Sequence, residues 1–563
     1  MILKYISCYR KYTSVRLLMI SAFLLGMASN AMAQEKWDEG EIEKVEIEIV
    51  KERQIVLPKA NRNFEKVPPR PVEPIKPEIT YDFKNIKFTT PEFNPAIRPL
   101  RLKQEEITKI YGNYFSAGLG NYASPYLEAY ITNKRDKAKF YGVKMFHHSF
   151  GQGPVDKNNS ASGNTEIGLF GKSFGKEAMV GGFANYENIT THFYGYTPGT
   201  SVEKSQILQS YNIFSLGGDV QNSTTSNFNY KLLGSFSYLD DHYKAKESEV
   251  VLGFKGDYEI SKASKILIGS DYYLISRKDE QVEAEPRHIF KVNGGYEFSI
   301  LDDLILMIGA NVVLENDTLG KDKSIHVYPD ARASYPLSKS IEVYASLTGN
   351  IDKVSLHTMA RENAWLNSNI GINNTNRTID FIGGIKGKLG SKVSFGGGFG
   401  FANLKELYFY QNDPTDRAKF ITVFDEGNTK RTNLFGELGF SHAQSARMLL
   451  RADLFGYATD QVAEAWHRPT YRVSFNSSYN LYSKILFNVD IITQGGAKAL
   501  DVDNNTVVTL DPAVDLNVKA SYFLSKKVSV FVKGSNLLSS DYQLYLNYPV
   551  RGVQVMGGVT WVF

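Results

Sequence analysis

Four places in the chain carry residue types that do chemistry, and spacing decides each of them. Gly171-Lys172-Ser173 has the ending of a phosphate-binding loop, in which backbone N–H groups cradle phosphates and the lysine reaches the outermost one. That loop needs a glycine five residues before Gly171, where Glu166 stands instead. Gly396, Gly398 and Gly400 begin a dinucleotide fingerprint, but its last glycine falls on Phe401 or Asn403. Asp501, Asp503 and Asn505 open like a calcium loop, yet Thr506 occupies the turn glycine and Pro512 the closing glutamate, leaving at most a loose cation contact. His147 and His148 are neighbours on a strand, so their rings point to opposite faces and cannot chelate together. The other histidines, such as His192, His242, His357 and His467, are scattered near loops and read as surface residues. No nucleophile–base or paired-carboxylate constellation stands out. The reading is no enzyme, no cofactor and no metal.

The residues left over are arranged for architecture. The chain has 563 residues, with 34 Tyr, 34 Phe and 46 Gly, a composition of aromatics and strand breakers. Its net charge of +4 gives no nucleic-acid footprint. A mean hydropathy of -0.27 excludes a bundle of membrane helices and suits strands that hide an apolar face by alternation. Val553, Val555, Gly557, Val559, Trp561 and Phe563 share one face of the last stretch, while Gln554, Met556, Gly558, Thr560 and Val562 take the other. Such a strand is long enough to cross a bilayer and ends on an interfacial aromatic. Val559, Trp561 and Phe563 are the candidate barrel-closing and assembly signal.

The same alternation recurs upstream. Val514, Leu516, Val518, Ala520 and Tyr522 oppose Asp515, Asn517, Lys519 and Ser521. Met448, Leu450, Ala452 and Leu454 oppose Arg451 and Asp453, and Val473, Phe475, Tyr479 and Leu481 oppose Arg472, Ser474, Asn476, Ser478 and Asn480. A charge on a lipid face costs roughly 2–4 kcal/mol at mid-bilayer, so its absence from these faces is informative. Tight polar turns such as Leu337-Ser338-Lys339-Ser340 and Tyr482-Ser483-Lys484 alternate with long connections, among them 353–369, 412–428 and 458–469. The fold class is therefore all-β: a transmembrane antiparallel up-and-down barrel over 111–563, of about 22 strands. The expected strand starts include 113, 125, 139, 341, 376, 392, 430, 446, 470, 484, 506, 527 and 552. Recurrent glycine pairs such as Gly557-Gly558 read either as relief of crowding in a curved sheet or as a smooth lumen track.

Gly534-Ser535-Asn536-Leu537-Leu538, Asp541-Tyr542, Tyr548-Pro549, Arg551-Gly552 and the run to Phe563 together resemble the end of a TonB-dependent receptor barrel. Arg551-Gly552 reverses the usual Gly-Arg order. The resemblance implies a 22-strand barrel in the outer membrane of a Gram-negative cell, a plug domain before it, and a short strand-forming box paired by the energising protein. Glu46, Ile47, Glu48, Ile49 and Val50 are the candidate box, or else a strand that augments another periplasmic sheet, or an acidic tail.

The segments ahead of the barrel read as a signal peptide over 1–33, an acidic strand-forming segment over 34–57 and a proline-rich periplasmic linker over 58–110. Lys4, Arg10, Lys11 and Arg16 precede an apolar core from Leu17 to Ala28, and Ala31-Met32-Ala33 supplies a cleavage site. The only cysteine, Cys8, falls in that leader. Prolines 58, 68, 69, 71, 74, 77, 91, 95 and 99 favour extended polyproline chain. A full plug does not fit in 34–110.

A barrel this wide needs an occupant: the segment 34–110, inward-folded long loops, a partner protein or water. Three functions stay open. One is a receptor-like transport barrel without a full plug. The second is an accessory or structural subunit of a larger outer-membrane assembly or secretion complex, whose arm contacts a protein partner in the membrane or periplasm. The third is a passive porin.

Overall fold

The computed structural model describes residues 111–563 except 134–135, 301–302, 318–323 and 444, together with Thr80. The expected signal peptide and acidic segment, and the linker apart from Thr80, lie outside the described residues.

Alternating sequence becomes wall. Twenty-two strands form one sheet in which sequence neighbours pair antiparallel, and the sheet closes on itself. Closure is made by the first strand, Asn113–Gly120, lying between Ser124–Thr132 and the last strand, Gln554–Val562. The seam runs in register from Tyr114 opposite Val562 to Gly120 opposite Met556, and Asn113 and Phe563 exchange backbone hydrogen bonds at its end. The 22-strand ring therefore has no open edge of its own.

The two faces sort as the period of two demands. Leu119, Val532, Val555, Val559, Trp561 and Leu454 are exposed on the outward face, whereas Ser116 and Met556 are buried on the inward one. Gly558 illustrates the glycine pairs: a Cβ there would lie 2.4 Å from the Phe531 ring, which lies across it from the neighbouring strand. Crowding relief is the physical role at that position.

At the end holding both strand termini, the connections are tight. Residues 262–263, 339–340, 390–392 and 482–484 are such turns, with Gly390, Tyr482 and Ser483 at positive φ. At the far end they are long, as at 193–207, 353–374, 459–470 and 536–553.

Two expected boundaries are corrected. The strand expected from 430 begins at Phe420 and runs to His442, because Phe420-Ile421-Thr422-Val423-Phe424 is itself strand-forming and pairs on with the end of Val393–Asn412 past a bulge at Lys405/Leu407. The wall strand expected from 506 is Ala513–Phe523. Thr506–Thr509 pairs instead with Lys498–Asp501 as a separate two-stranded hairpin, since Asp511-Pro512 interrupts the run and removes a donor.

Candidate functional site

The connection 353–374 folds inward across the far mouth. Its sequence explains why it can. Ser355 caps a short helix, α1 (Leu356–Glu362), through a reciprocal capping box with Thr358. Leu356, Met359 and Ala360 bury one side of α1, and Leu366, Ile370 and Ile372 continue the apolar run after it. They pack with Tyr211, Ile213, Leu239, Tyr410, Phe420 and Tyr548, which come from walls and loops far apart in the chain.

Wall side chains then hold the backbone of this cap. The buried Glu247 carboxylate accepts from the N–H groups of Leu356 (2.8 Å) and His357 (2.9 Å). A wall carboxylate thus satisfies the free donors of a helix start. Arg277 donates to the Ile370 carbonyl (2.7 Å) and Arg287 to the Val354 carbonyl (2.8 Å). Asp279 accepts from Asn369 N–H (2.8 Å) and Asp317 from Asn374 N–H (2.6 Å). Ion pairs join Lys353 to Glu249 and Arg361 to Glu187. These partners run around the ring from Glu187 on Ala178–His192 to Asp317, just past Leu304–Glu315, so the cap is tied to one half of the ring.

The other half is met through aromatics. Glu362 accepts from Tyr408 (2.6 Å), Tyr410 (3.1 Å) and Arg468 (2.8 Å), and its carbonyl accepts from Tyr545 (2.9 Å). Trp365 lies 4.1 Å from the Tyr548 ring and donates from Nε1 to Thr191 Oγ1 and the His192 carbonyl, each at 3.1 Å. Burial, then the charges of Arg361 and Lys353, pushes His357 down to about 4. Burial also pushes His467 down to about 4, against a hydrogen bond to the Tyr410 carbonyl and with help from Arg468. Tyr548 is raised well above its ordinary range by burial.

The sequence left the cap as a long loop and an inward-folded loop as one occupant among four. The available signal was Ser355-x-x-Thr358 followed by Leu356, Met359, Trp365, Leu366, Ile370 and Ile372, too apolar for a solvated loop. The scattered histidines are corrected in three places, the first being His357, drawn into the cap with its Nε2 buried. His192 is buried and bonded to the Ala161 carbonyl (2.7 Å), and His467 packs between Phe420 and Tyr545, because loops close over both.

Of the other predicted residues, Glu46 to Val50 lie outside the described residues. Val559 and Trp561 face outward on the closing strand, and Trp561 stacks on Phe563 at 4.2 Å. Gly171-Lys172-Ser173 and Gly396 to Gly400 lie within strands, not in loops before helices. The Asp501 carboxylate is taken up by Asp503 N–H and by Asn504. His147 bonds Thr165 (2.8 Å) and His148 bonds Ser124 (3.0 Å), on opposite faces.

No protein-family model matches the sequence, and no curated protein does. Solved structures match the fold. The siderophore receptor PirA from Acinetobacter baumannii is 10% identical over 80% of each chain, with a TM-score of 0.62. FpvA of P. aeruginosa, solved with heterologous pyoverdines, is 11% identical over 80% of this chain and 72% of its own, with a TM-score of 0.60. The ferric-catecholate import receptor Fiu from E. coli is 9% identical over 81% and 82%, with a TM-score of 0.60. What this chain shares with them is the closed 22-strand barrel of the TonB-dependent siderophore receptors.

Proposed function

We propose that the protein takes part in transport across the outer membrane as a receptor-like barrel whose outer mouth is closed by its own 353–374 segment. The observation that carries the reading is the cap: a connection folded into the ring and bonded to wall side chains on both sides of it. A structural wall has no need to close its lumen with buried ions, whereas a barrel that passes solute selectively does. The shared fold with siderophore receptors supports the outer-membrane setting, with the long connections outside the cell and both strand termini in the periplasm. The expected box, Glu46 to Val50, remains our candidate for coupling to an energising partner.

The test replaces 354–373 with a short Gly-Ser turn and measures single-channel conductance in planar bilayers. Large, steady conductance from the deleted form and little from the intact chain is the expected result. Equal conductance of the two would remove the cap from the mechanism. The accessory-subunit reading predicts stoichiometric membrane-protein partners after gentle detergent purification.

A further inference from the structure

Cross-strand register places Arg447 opposite Ser478, Ser478 opposite Asn488, Asn488 opposite Lys519, Lys519 opposite Lys533, and Lys533 opposite Met556. Directly paired residues point to the same face, and here that face is the lumen. The result is one continuous row across six strands, with three cations and no carboxylate. It runs from the second residue of Ala446–Ala458, at the terminus end, to Lys533, two residues from the far end of Val528–Ser535. Barrel strands tilt, so a row perpendicular to them climbs the wall.

Several cations elsewhere in the ring have acidic partners: Lys144 with Glu166, Lys265 with Glu297 (3.0 Å), Lys386 with Glu342 (3.0 Å), and Arg451 with Asp453 (2.8 Å), whereas Lys231 and Lys255 form a second directly opposed pair without one among the described residues. Among the described residues, Arg447, Lys519 and Lys533 have no such ion pair. The acidic groups flanking the row are engaged by neutral donors, Asp490 by Asn476 (2.7 Å) and Glu128 by Tyr126 (2.6 Å). Lys519 Nζ lies over the Phe531 ring at 4.8 Å, a cation–π contact that holds the ammonium beside the wall. Two lysines directly opposite each other destabilise a sheet. All six residues of the row line one hollow of about 650 Å³.

We propose that this row is a binding track for a small oxyanionic solute, one bearing phosphate or carboxylate groups, on its way through the lumen. An oxyanion bridging Lys519 and Lys533 turns their repulsion into attraction, with Ser478 and Asn488 as neutral donors beside it. The track uses the lumen of the transport reading. Binding is measured without permeation, however, so the two fail separately.

The experiment is calorimetric titration of the full chain in detergent with inorganic pyrophosphate, against sodium chloride of equal ionic strength. Lys519→Gln and Lys533→Gln each weaken binding about tenfold, whereas Lys533→Arg and the control Lys265→Gln retain it. Without pyrophosphate, Lys533→Gln unfolds at the same temperature as the native chain or higher, because it removes a like-charge pair. Heat-modifiable migration on gels confirms that each variant forms a barrel. Failure of the native chain to bind pyrophosphate, or equal loss in Lys265→Gln, overturns the proposal. So does a fall in the unfolding temperature of Lys533→Gln with unchanged binding.

Discussion

At the scale of single residues, the cap is held by a few groups whose loss leaves partners stranded. Glu247 is the clearest, since it answers two backbone donors at the start of α1 while itself buried. Glu247→Ala leaves both N–H groups unmet in the interior. It should weaken cap docking by about 2–3 kcal/mol, read as faster amide hydrogen exchange over 353–374 with the wall strands unchanged. A pH dependence follows from His357 and His467, both held near 4 against an ordinary 6.5. Above 6.5 the ring is neutral in the docked and released forms, so nothing is gained or lost. As pH falls from 6.5 towards 4, the released form takes up protons that the docked form refuses, and docking weakens; below about 4 the loss levels off. Protection from amide exchange over 353–374, measured relative to the intrinsic rate at each pH, should therefore fall as pH drops within that window and stay flat between pH 7 and 8. His357→Gln together with His467→Gln should remove the histidine part of the slope, leaving the opposite contribution of Glu247, whose carboxyl is raised by burial.

At the scale of elements, the two faces of a strand give opposite outcomes for one substitution. Val559 faces outward and Met556 inward on Gln554–Val562. Val559→Arg should cost about 2–4 kcal/mol in urea unfolding from bilayers, while the same change at Thr560, on the lumen face opposite the neutral Ser116 and Ser529, should cost less. This sorting was legible in the sequence because it depends only on a period of two, and most strand starts fell within a few residues of their places. What the sequence hid are features set by contacts distant along the chain. Phe420 to Phe424 looked like loop because an acidic, polar stretch surrounds it, and only pairing with the end of Val393–Asn412 makes it strand. Thr506–Thr509 looked like wall because it is apolar and short, but its partner is the local run Lys498–Asp501. The cap was illegible for the same reason. Its bonds to Glu187, Glu247 and Tyr408 cross the ring, and no local pattern encodes them. The cationic row could be counted residue by residue, yet its continuity rests on register across five hairpins.

At the scale of the whole molecule, the ring has two unlike ends, and the orientation reading turns on which end faces out. Tight turns such as 390–392 gather at the end that holds Asn113 and Phe563, and the hairpin of Lys498–Asp501 and Thr506–Thr509 stands at the other. Inserting a closed barrel from the periplasm carries one set of connections across the bilayer, and either set can be assayed because the sole cysteine, Cys8, lies in the expected leader. Asn504→Cys places a thiol at the exposed tip of the hairpin, and Ser391→Cys places one in an exposed tight turn. Intact cells treated with a membrane-impermeant maleimide should label Asn504→Cys and spare Ser391→Cys, with both labelled once the envelope is broken. The reverse pattern would invert the barrel and put the cap on the periplasmic side. Labelling of neither in intact cells, but of both after lysis, would remove the protein from the outer membrane altogether. Because the cap, the basic row and the seam are all fixed to this one ring, that single orientation decides which solutes meet the cap first.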